Sequence, residues 1–490
     1  MVRERLEAGE RPLPRFCARE VDAFLRCGVL AYGFARVWCQ ACGKDDVVAF
    51  SCKGRGFCPS CGARRMADTA AWLVDRVIPE QAPVRQWVLS LPYRLRVLCA
   101  YDADACALVR RVLVRAVSGF YEGRARRLGL PRPRTGAVAF VQRFDSGLRL
   151  NLHYHVVWLD GVYSWQPGRS GVAWHEHEGL EDAGVAQLVR RVRDRVLRAL
   201  RRAGKWWQDG DAADADAELD GEQQLLLALA SGGVTGRAAL GERAGEGDAR
   251  VGRGSRAEPF VKAPLCADCD GFSLHAGVRV AAGDRRRVEH LLRYAGRPAI
   301  AESRLSLLPD GRVCYELKRR WKDGTTNVVM PPEVLIERLL ALVPRPRRHL
   351  VTYHGVLAPA SGLRSRVVPR WDEAEETGGE ADAPSSAEGE GRAQAIEQLR
   401  RRRRVVPHAP GRRGRRRGGV RRYPWAELLR RVFDVEVLVC PHCGGARRLL
   451  AAITAPASIE RVLRAMGLPH EAPVVAEARA PPGDAEWWGA

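Results

Sequence analysis

Asn151-Leu-His-Tyr-His-Val-Val-Trp-Leu-Asp-Gly-Val-Tyr163 reads as a buried β-strand in every respect but one: two histidines, His153 and His155, stand in it two positions apart. Side chains at i and i+2 of a strand share a face and lie roughly 6.6 Å apart along the chain, so the two imidazoles can close on one metal ion. Leu152, Tyr154, Val156 and Trp158 fill the opposite face, as a core-facing side requires. The strand before it, GAVAFVQRF, is joined by a short Asp145-Ser146-Gly147 turn. An antiparallel pairing then brings Gln142 beside the histidines, either as a third ligand through its amide oxygen or as an amide that bridges the ladder. Asp160 is a fallback ligand, although its parity in a regular strand puts it on the other face.

Working outward, QWVLSLP and FSLHAGVRVAA also read as strands, while ACALVRRVLVRAV, DAGVAQLVRRVRDRVLRAL and RRRVEHLLRYAG have helical periodicity. The class is therefore α+β. In the last of those helices Val288, Leu291, Leu292 and Ala295 make an apolar stripe, and Tyr294 falls off it, on the side of Arg287 and His290. A tyrosine that does not fill a core and is flanked by cations is a candidate nucleophile for a phosphodiester; the plain alternative is a tyrosine at the rim of a packed helix. The run from 304 to 330 contains two Asp-Gly turns and reads as a three-stranded meander whose middle strand ends in Lys318, Arg319 and Arg320.

Cys39-x2-Cys42 and Cys58-x2-Cys61, fifteen residues apart, match a two-knuckle zinc ribbon in which four thiolates complete a closed tetrahedral site. Cys52 is a fifth thiol inside the loop. So short a module cannot bury enough apolar surface to fold alone, and the metal would stabilise it. Arg55, with Lys53, Arg64 and Arg65 nearby, makes the ribbon a DNA-docking candidate. Cys440-Pro-His-Cys443 is a half-site without an evident partner. Cys266-x2-Cys269 reads as incidental, and Cys17, Cys27, Cys99, Cys106 and Cys314 read as small core residues.

The chain has 490 residues, with 80 Lys+Arg against 58 Asp+Glu and a net charge of +22, mostly from arginine, which forks onto phosphates. Nucleic acid is the first partner to consider, although a GC-rich genome also raises arginine for no ligand's sake. No apolar run has the length of a membrane span, and the N-terminus has no signal-peptide core, so the expected location is the cytoplasm. The expected organisation is a zinc-binding module with a connecting helix over 1–85, a catalytic domain over 86–360 with an insertion at about 204–258, a disordered linker over 361–422, and a small C-terminal module over 423–490. Within the linker, 372–390 holds eight acidic residues and 400–422 twelve arginines.

His153-Tyr154-His155 together with LLRYAGRPAIAESRL (291–305) resembles the HUH single-strand nucleases, and more narrowly the rolling-circle transposases of insertion sequences and common-region elements. The resemblance takes in the SCKGRGFCPSC ribbon, QRFDSGLRLNLHYHVVWLDGVY, DGFSLHAGVRVAA, KRRWKDGTTNVVM, HLVTYHGVLAP and WAELLRRVFDVEVLVCPHCGG. It implies an HUH core with a central antiparallel sheet flanked by helices, Mg²⁺ or Mn²⁺ on His153 and His155, and Tyr294 as the nucleophile. The implied reaction nicks and rejoins single-stranded DNA at transposon ends through a 5′-phosphotyrosine, in a bacterial cytoplasm and at the nucleoid when DNA is bound. Many relatives carry two tyrosines four residues apart, whereas His290 and Pro298 occupy those positions here, so the chain resembles a single-tyrosine subgroup. No P-loop is present and no nucleotide cofactor is expected. His275 and Lys318 are weaker site candidates, and Trp321 is placed to stack bases. The rival reading is a non-catalytic zinc-dependent DNA-binding regulator, and a second rival is a phosphodiesterase that uses water.

Overall fold

The computed structural model describes residues 13–165, 171–205, 221–241, 243–251, 264–321, 323–368, 425–433 and 436–473. The acidic and arginine-rich blocks expected as a disordered linker lie outside the described residues, as does much of the insertion. Helix α1 (Arg15–Leu25) leads to a hairpin of β1 (Phe34–Cys39) and β2 (Asp45–Ala49), and α2 (Pro59–Arg76) follows. Next come β3 (Val84–Ser90), α3 (Tyr93–Tyr101), α4 (Ala103–Arg127) and the hairpin of β4 (Gly136–Phe144) with β5 (Leu150–Leu159). A ribbon of β6 (Gly161–Trp165) and β7 (Val172–Glu176) precedes α5 (Asp182–Arg202), α6 (Gly221–Thr235) and β8 (Ala249–Val251). The chain continues through β9 (Cys266–Cys269), β10 (Phe272–Val280), α7 (Arg285–Ala295), β11 (Leu305–Leu307), β12 (Val313–Glu316), β13 (Asn327–Met330), α8 (Pro332–Leu342), β14 (Val351–Gly355) and α9 (Arg364–Val367). It closes with α10 (Trp425–Phe433), β15 (Arg447–Ile453) and α11 (Pro456–Ala465).

The central sheet has six strands in the order β14-β4-β5-β3-β10-β9, each neighbouring pair antiparallel. Its two faces differ because β5 alternates. Leu152, Tyr154, Val156 and Trp158 enter a core with Trp87 and Leu89 of β3, Val109, Leu113 and Val117 of α4, and Val185, Leu188 and Val192 of α5. Val157 and Leu159 point the other way, into a second core with Leu73 and Val74 of α2 and Leu291 and Leu292 of α7. This is the α+β architecture that the periodicities require, with helices on both sides of one sheet. The 304–330 stretch forms β11, β12 and β13 as a meander, and β8 adds a fourth strand.

Helix α7 owes its position to two local signals. Asp284 caps its N-terminus by accepting from the Arg287 backbone N–H at 3.1 Å, and the stripe of Val288, Leu291, Leu292 and Ala295 is buried. Arg431 of α10 then braces it from outside: one guanidinium reaches Glu289 of α7 at 2.7 Å and Asp75 of α2 at 2.5 Å.

The segment after 423 does not fold apart from the N-terminal module. Strand β15 pairs antiparallel with β1, with Phe34 opposite Ile453 and Cys39 opposite Arg447, and so completes a three-stranded sheet. The β1-β2 pairing on the other side, Phe34 opposite Ala49 and Trp38 opposite Asp45, turns the chain back before Cys52.

Candidate metal centres and the histidine-tyrosine site

The ribbon expected from Cys39, Cys42, Cys58 and Cys61 does not form. Cys58 and Cys61 gather with Cys27 and Cys52, while Cys39 and Cys42 gather with Cys440 and Cys443. The reason is the β1-β2 hairpin. Cys39 ends β1 at the tip, whereas Cys27 and Cys52 flank the open end, and five strand steps put roughly 16 Å between the ends of β1. One ion cannot be bound from both ends. Cys27, expected in the core, is therefore a metal-ligand candidate, and the Cys440-Cys443 half-site has its partner in Cys39-Cys42.

In the first cluster Cys27 Sγ lies 3.7 Å from Cys58 Sγ and 3.9 Å from Cys61 Sγ, and Cys52 Sγ is 3.4 Å from Cys61 Sγ. In the second, Cys39 Sγ is 3.5 Å from Cys443 Sγ and Cys42 Sγ 3.6 Å from Cys440 Sγ. Four sulfurs held tetrahedrally at about 2.3 Å from zinc stand about 3.8 Å apart, so both clusters have the size of a zinc tetrathiolate and neither has the short contact of a disulfide. Backbone N–H groups also donate to sulfur: Cys52 to Cys27 Sγ, Gly54 to Cys52 Sγ and Gly445 to Cys443 Sγ. Such bonds favour thiolates. Both clusters fit structural zinc. Cys266 and Cys269 lie on edge strand β9 and join no cluster among the described residues.

The other polar assembly lies on the α7 side of the central sheet. Register places Gln142 opposite His153, and Phe140 and Val88 opposite His155. The imidazole centroids of His153 and His155 are 4.8 Å apart, and the Tyr294 ring stands edge-on to His155 at 5.6 Å. Four residues separated by up to 152 positions are thus brought together by one hairpin and one helix. Tyr294 remains 42% exposed, so its edge is open to a solvent-borne substrate.

Both imidazoles are held neutral. Burial pushes His153 down to about 4, and burial together with the charge of His153 pushes His155 down to about 2. His153 Nδ1 lies 2.7 Å from the Asn151 carbonyl, which fixes the proton there and leaves Nε2 as the lone-pair nitrogen. His155 Nδ1 lies 3.0 Å from the Gln86 amide, which can turn over to present its oxygen and fix the same tautomer. Gln142 Nε2 donates to the carbonyls of Tyr294 and Ala295 at 3.0 and 2.9 Å and ties the strand to the tyrosine helix. Its Oε1 is buried with no hydrogen-bond partner. A buried amide oxygen without a partner is costly, and two lone-pair nitrogens beside it make a donor set of N, N and O that suits a divalent cation.

Asp160 is not available to such an ion. It is fully buried on the opposite side, where it accepts from Arg85 at 2.9 Å, Arg279 at 2.9 Å and Tyr121 at 2.8 Å. His275 lies on β10 opposite Val88, one strand beyond His155. Lys318, Arg319 and Arg320 are exposed after β12. Trp321 does not offer a bare face for a base: its indole N–H donates to Ser146 Oγ at 3.0 Å and Arg149 stacks on its ring at 4.4 Å, so it fastens the meander to the β4-β5 turn. The Arg55 guanidinium donates to the Arg348 carbonyl. Sequence reasoning missed Cys27, the Cys39-Cys440 partnership and Gln86; the signal for Cys27 was the strand pattern DDVVAF between the knuckles, which demands a hairpin.

No described helix is long and apolar enough to cross a membrane. No curated protein and no solved structure matches the chain. Two families do match. Residues 3–91 match the transposase zinc-binding domain of the IS91 type, which includes six of the clustered cysteines but not Cys440 and Cys443. Residues 136–364 match a putative transposase family, which includes Gln142, His153, His155 and Tyr294. Both matches are to transposase families, and the two domains in this order are consistent with an IS91-like transposase.

Proposed function

We propose that the chain is an HUH-type strand transferase that nicks and rejoins single-stranded DNA at the ends of its element through a 5′-phosphotyrosine. The observation that carries this is the meeting of Tyr294 with His153, His155 and the unpartnered Gln142 oxygen on one face of the central sheet. His153, His155 and Gln142 would hold Mg²⁺ or Mn²⁺, which when bound supplies Lewis-acid polarisation of a phosphate oxygen. Tyr294 attacks phosphorus, the 3′ P–O bond breaks, the phenolic proton passes to solvent, and the departing 3′ oxygen takes up a proton. Because one phosphoester is exchanged for another, rejoining needs no nucleotide. Gln86 and the Asn151 carbonyl orient the imidazoles, and Gln142 Nε2 fixes the tyrosine helix to β4, the strand paired with theirs. A single-stranded substrate is part of the reading, since a partly buried phenol on a packed helix would meet a backbone phosphate more readily where the partner strand is absent. Lys318, Arg319 and Arg320, tied by Trp321 to the turn that leads into β5, would draw the strand towards the site, with Arg55 on the zinc module.

The test is incubation of the chain and of Tyr294→Phe with end-labelled single-stranded oligonucleotides carrying the element's ends, in Mn²⁺. The proposal expects a denaturation-resistant adduct from the unaltered chain alone. Cleavage that survives in Tyr294→Phe would point to a water-using phosphodiesterase, and no cleavage by either protein to a zinc-dependent DNA-binding regulator.

A further inference from the structure

Arg297 is a cation that no described group compensates. It stands two residues after the tyrosine helix, between two rings: its guanidinium lies 4.9 Å from the Tyr294 centroid and 5.5 Å from that of Phe144. It forms no ion pair among the described residues, and its Nε is buried without a hydrogen-bond partner. It is close enough to both His153 and His155 for its charge to oppose their protonation. Asp145, the acid whose charge also reaches His153, is already held by Arg149 and by the backbone N–H groups of Gly147 and Arg149. Arg96, the other cation near His153, donates to the Leu91 carbonyl.

A guanidinium fixed by two aromatic faces, partly buried, without a carboxylate and beside a nucleophile is arranged to receive an anion. Stacking restrains the guanidinium plane, and a restrained fork of N–H donors is what arginine offers to phosphate. We propose that Arg297 binds the non-bridging oxygens of the DNA phosphodiester that Tyr294 attacks, and offsets the negative charge that builds there as the P–O bond to tyrosine forms and the bond to the 3′ oxygen breaks. The inference rests on the strand-transferase reading and adds to it the group that recognises the reacting phosphate.

Charge replacement tests it. Oligonucleotides with either the natural phosphodiester or an uncharged methylphosphonate at the cleaved linkage are given to the unaltered chain and to Arg297→Ala, and single-turnover adduct formation is timed. Arg297→Ala should lose about 10²–10³-fold on the phosphodiester, the scale of one transition-state donor, and little on the methylphosphonate. An equal loss on both linkages would reduce Arg297 to a structural role, and no loss on either would also overturn the proposal. A binding measurement in the Tyr294→Phe background separates this from failure of the broader reading. There Arg297→Ala should lower the slope of log K against log salt for the same oligonucleotide by about 0.7, one phosphate contact on a single strand, whether or not cleavage occurs. An unchanged slope contradicts it.

Discussion

Strand β5 has two faces, and they obey different rules. On one, Leu152, Tyr154, Val156 and Trp158 are fully buried; the Tyr154 hydroxyl donates to the Cys106 carbonyl at 2.9 Å and Asp160 at the strand's end accepts from three donors, while the Trp158 indole N–H, a donor, is left without a partner. On the other, His153, His155 and Gln142 are nearly as buried, yet the amide oxygens of Gln142 and Asn151, both acceptors, are left without partners. A fold selected for stability alone would fill that face with Val and Leu, as it does at Val157 and Leu159. The difference is one of kind: a leftover N–H cannot hold a cation, whereas leftover acceptor oxygens beside two imidazoles are what the proposed metal site requires.

The sharpest way to break the comparison is to cut each face in turn. His153→Ala should lower adduct formation by about 10³-fold while the metal-free fold keeps its stability, because it removes a buried imidazole that folding holds neutral at a cost. Trp158→Ala, five positions along the same strand, should cost about 3–5 kcal/mol in denaturant unfolding. If the two variants behave alike in both assays, the faces are not functionally distinct. Asp160→Asn should be almost as damaging to stability, about 3–5 kcal/mol, since it leaves Arg85 and Arg279 without their shared carboxylate.

The cysteine clusters allow a comparison of the same kind. Cys58→Ser breaks a site closed within residues 27–61, whereas Cys440→Ser breaks one assembled from positions 398 apart. Each should lower zinc content from two ions per chain towards one. Only Cys440→Ser should leave the Cys27 cluster intact while exposing the segment after 423 to proteolysis; equal loss of both ions in either variant would mean one cooperative centre. A smaller effect should follow pH. His153 and His155 have folded pKa values of about 4 and 2 against an ordinary 6.5, so below 6.5 the unfolded chain takes up protons that the fold refuses. Their contribution is present above pH 6.5 and lost as pH falls below it, which urea unfolding of the metal-free protein at pH 7 and pH 5 would register. His155→Phe should flatten that slope. The smallest effect expected is that of Arg431→Ala, about 1 kcal/mol, because its ion pairs are partly open to solvent.

Much of the central sheet was legible because its signals are local: alternation in β5, the Asp145-Gly147 turn that sets the Gln142-His153 register, and the capped apolar stripe of α7. The juxtaposition of Tyr294 with His155 was an expectation of the resemblance alone, since nothing within α7 says which strand it covers. The cysteine partners were misread because CxxC spacing carries no direction. The fifteen residues between Cys42 and Cys58 contain a whole strand, and that strand carries the chain away from the first knuckle before the second begins. Cys440 was beyond local reasoning altogether, as the pairing of β15 with β1 is fixed only in three dimensions. Arg297 lies within the LLRYAGRPAIAESRL stretch, but its lack of an ion-pair partner among the described residues is a property of the folded surroundings.

The central claim is that the phenol of residue 294 becomes covalently joined to DNA. Digestion of the protein-DNA adduct with nuclease and trypsin, followed by mass spectrometry, measures this directly. The account predicts a nucleotide on the peptide that contains Tyr294, attached through its 5′ phosphate; a nucleotide carried by any other residue, or released with a free 5′ phosphate and no protein link, would contradict it.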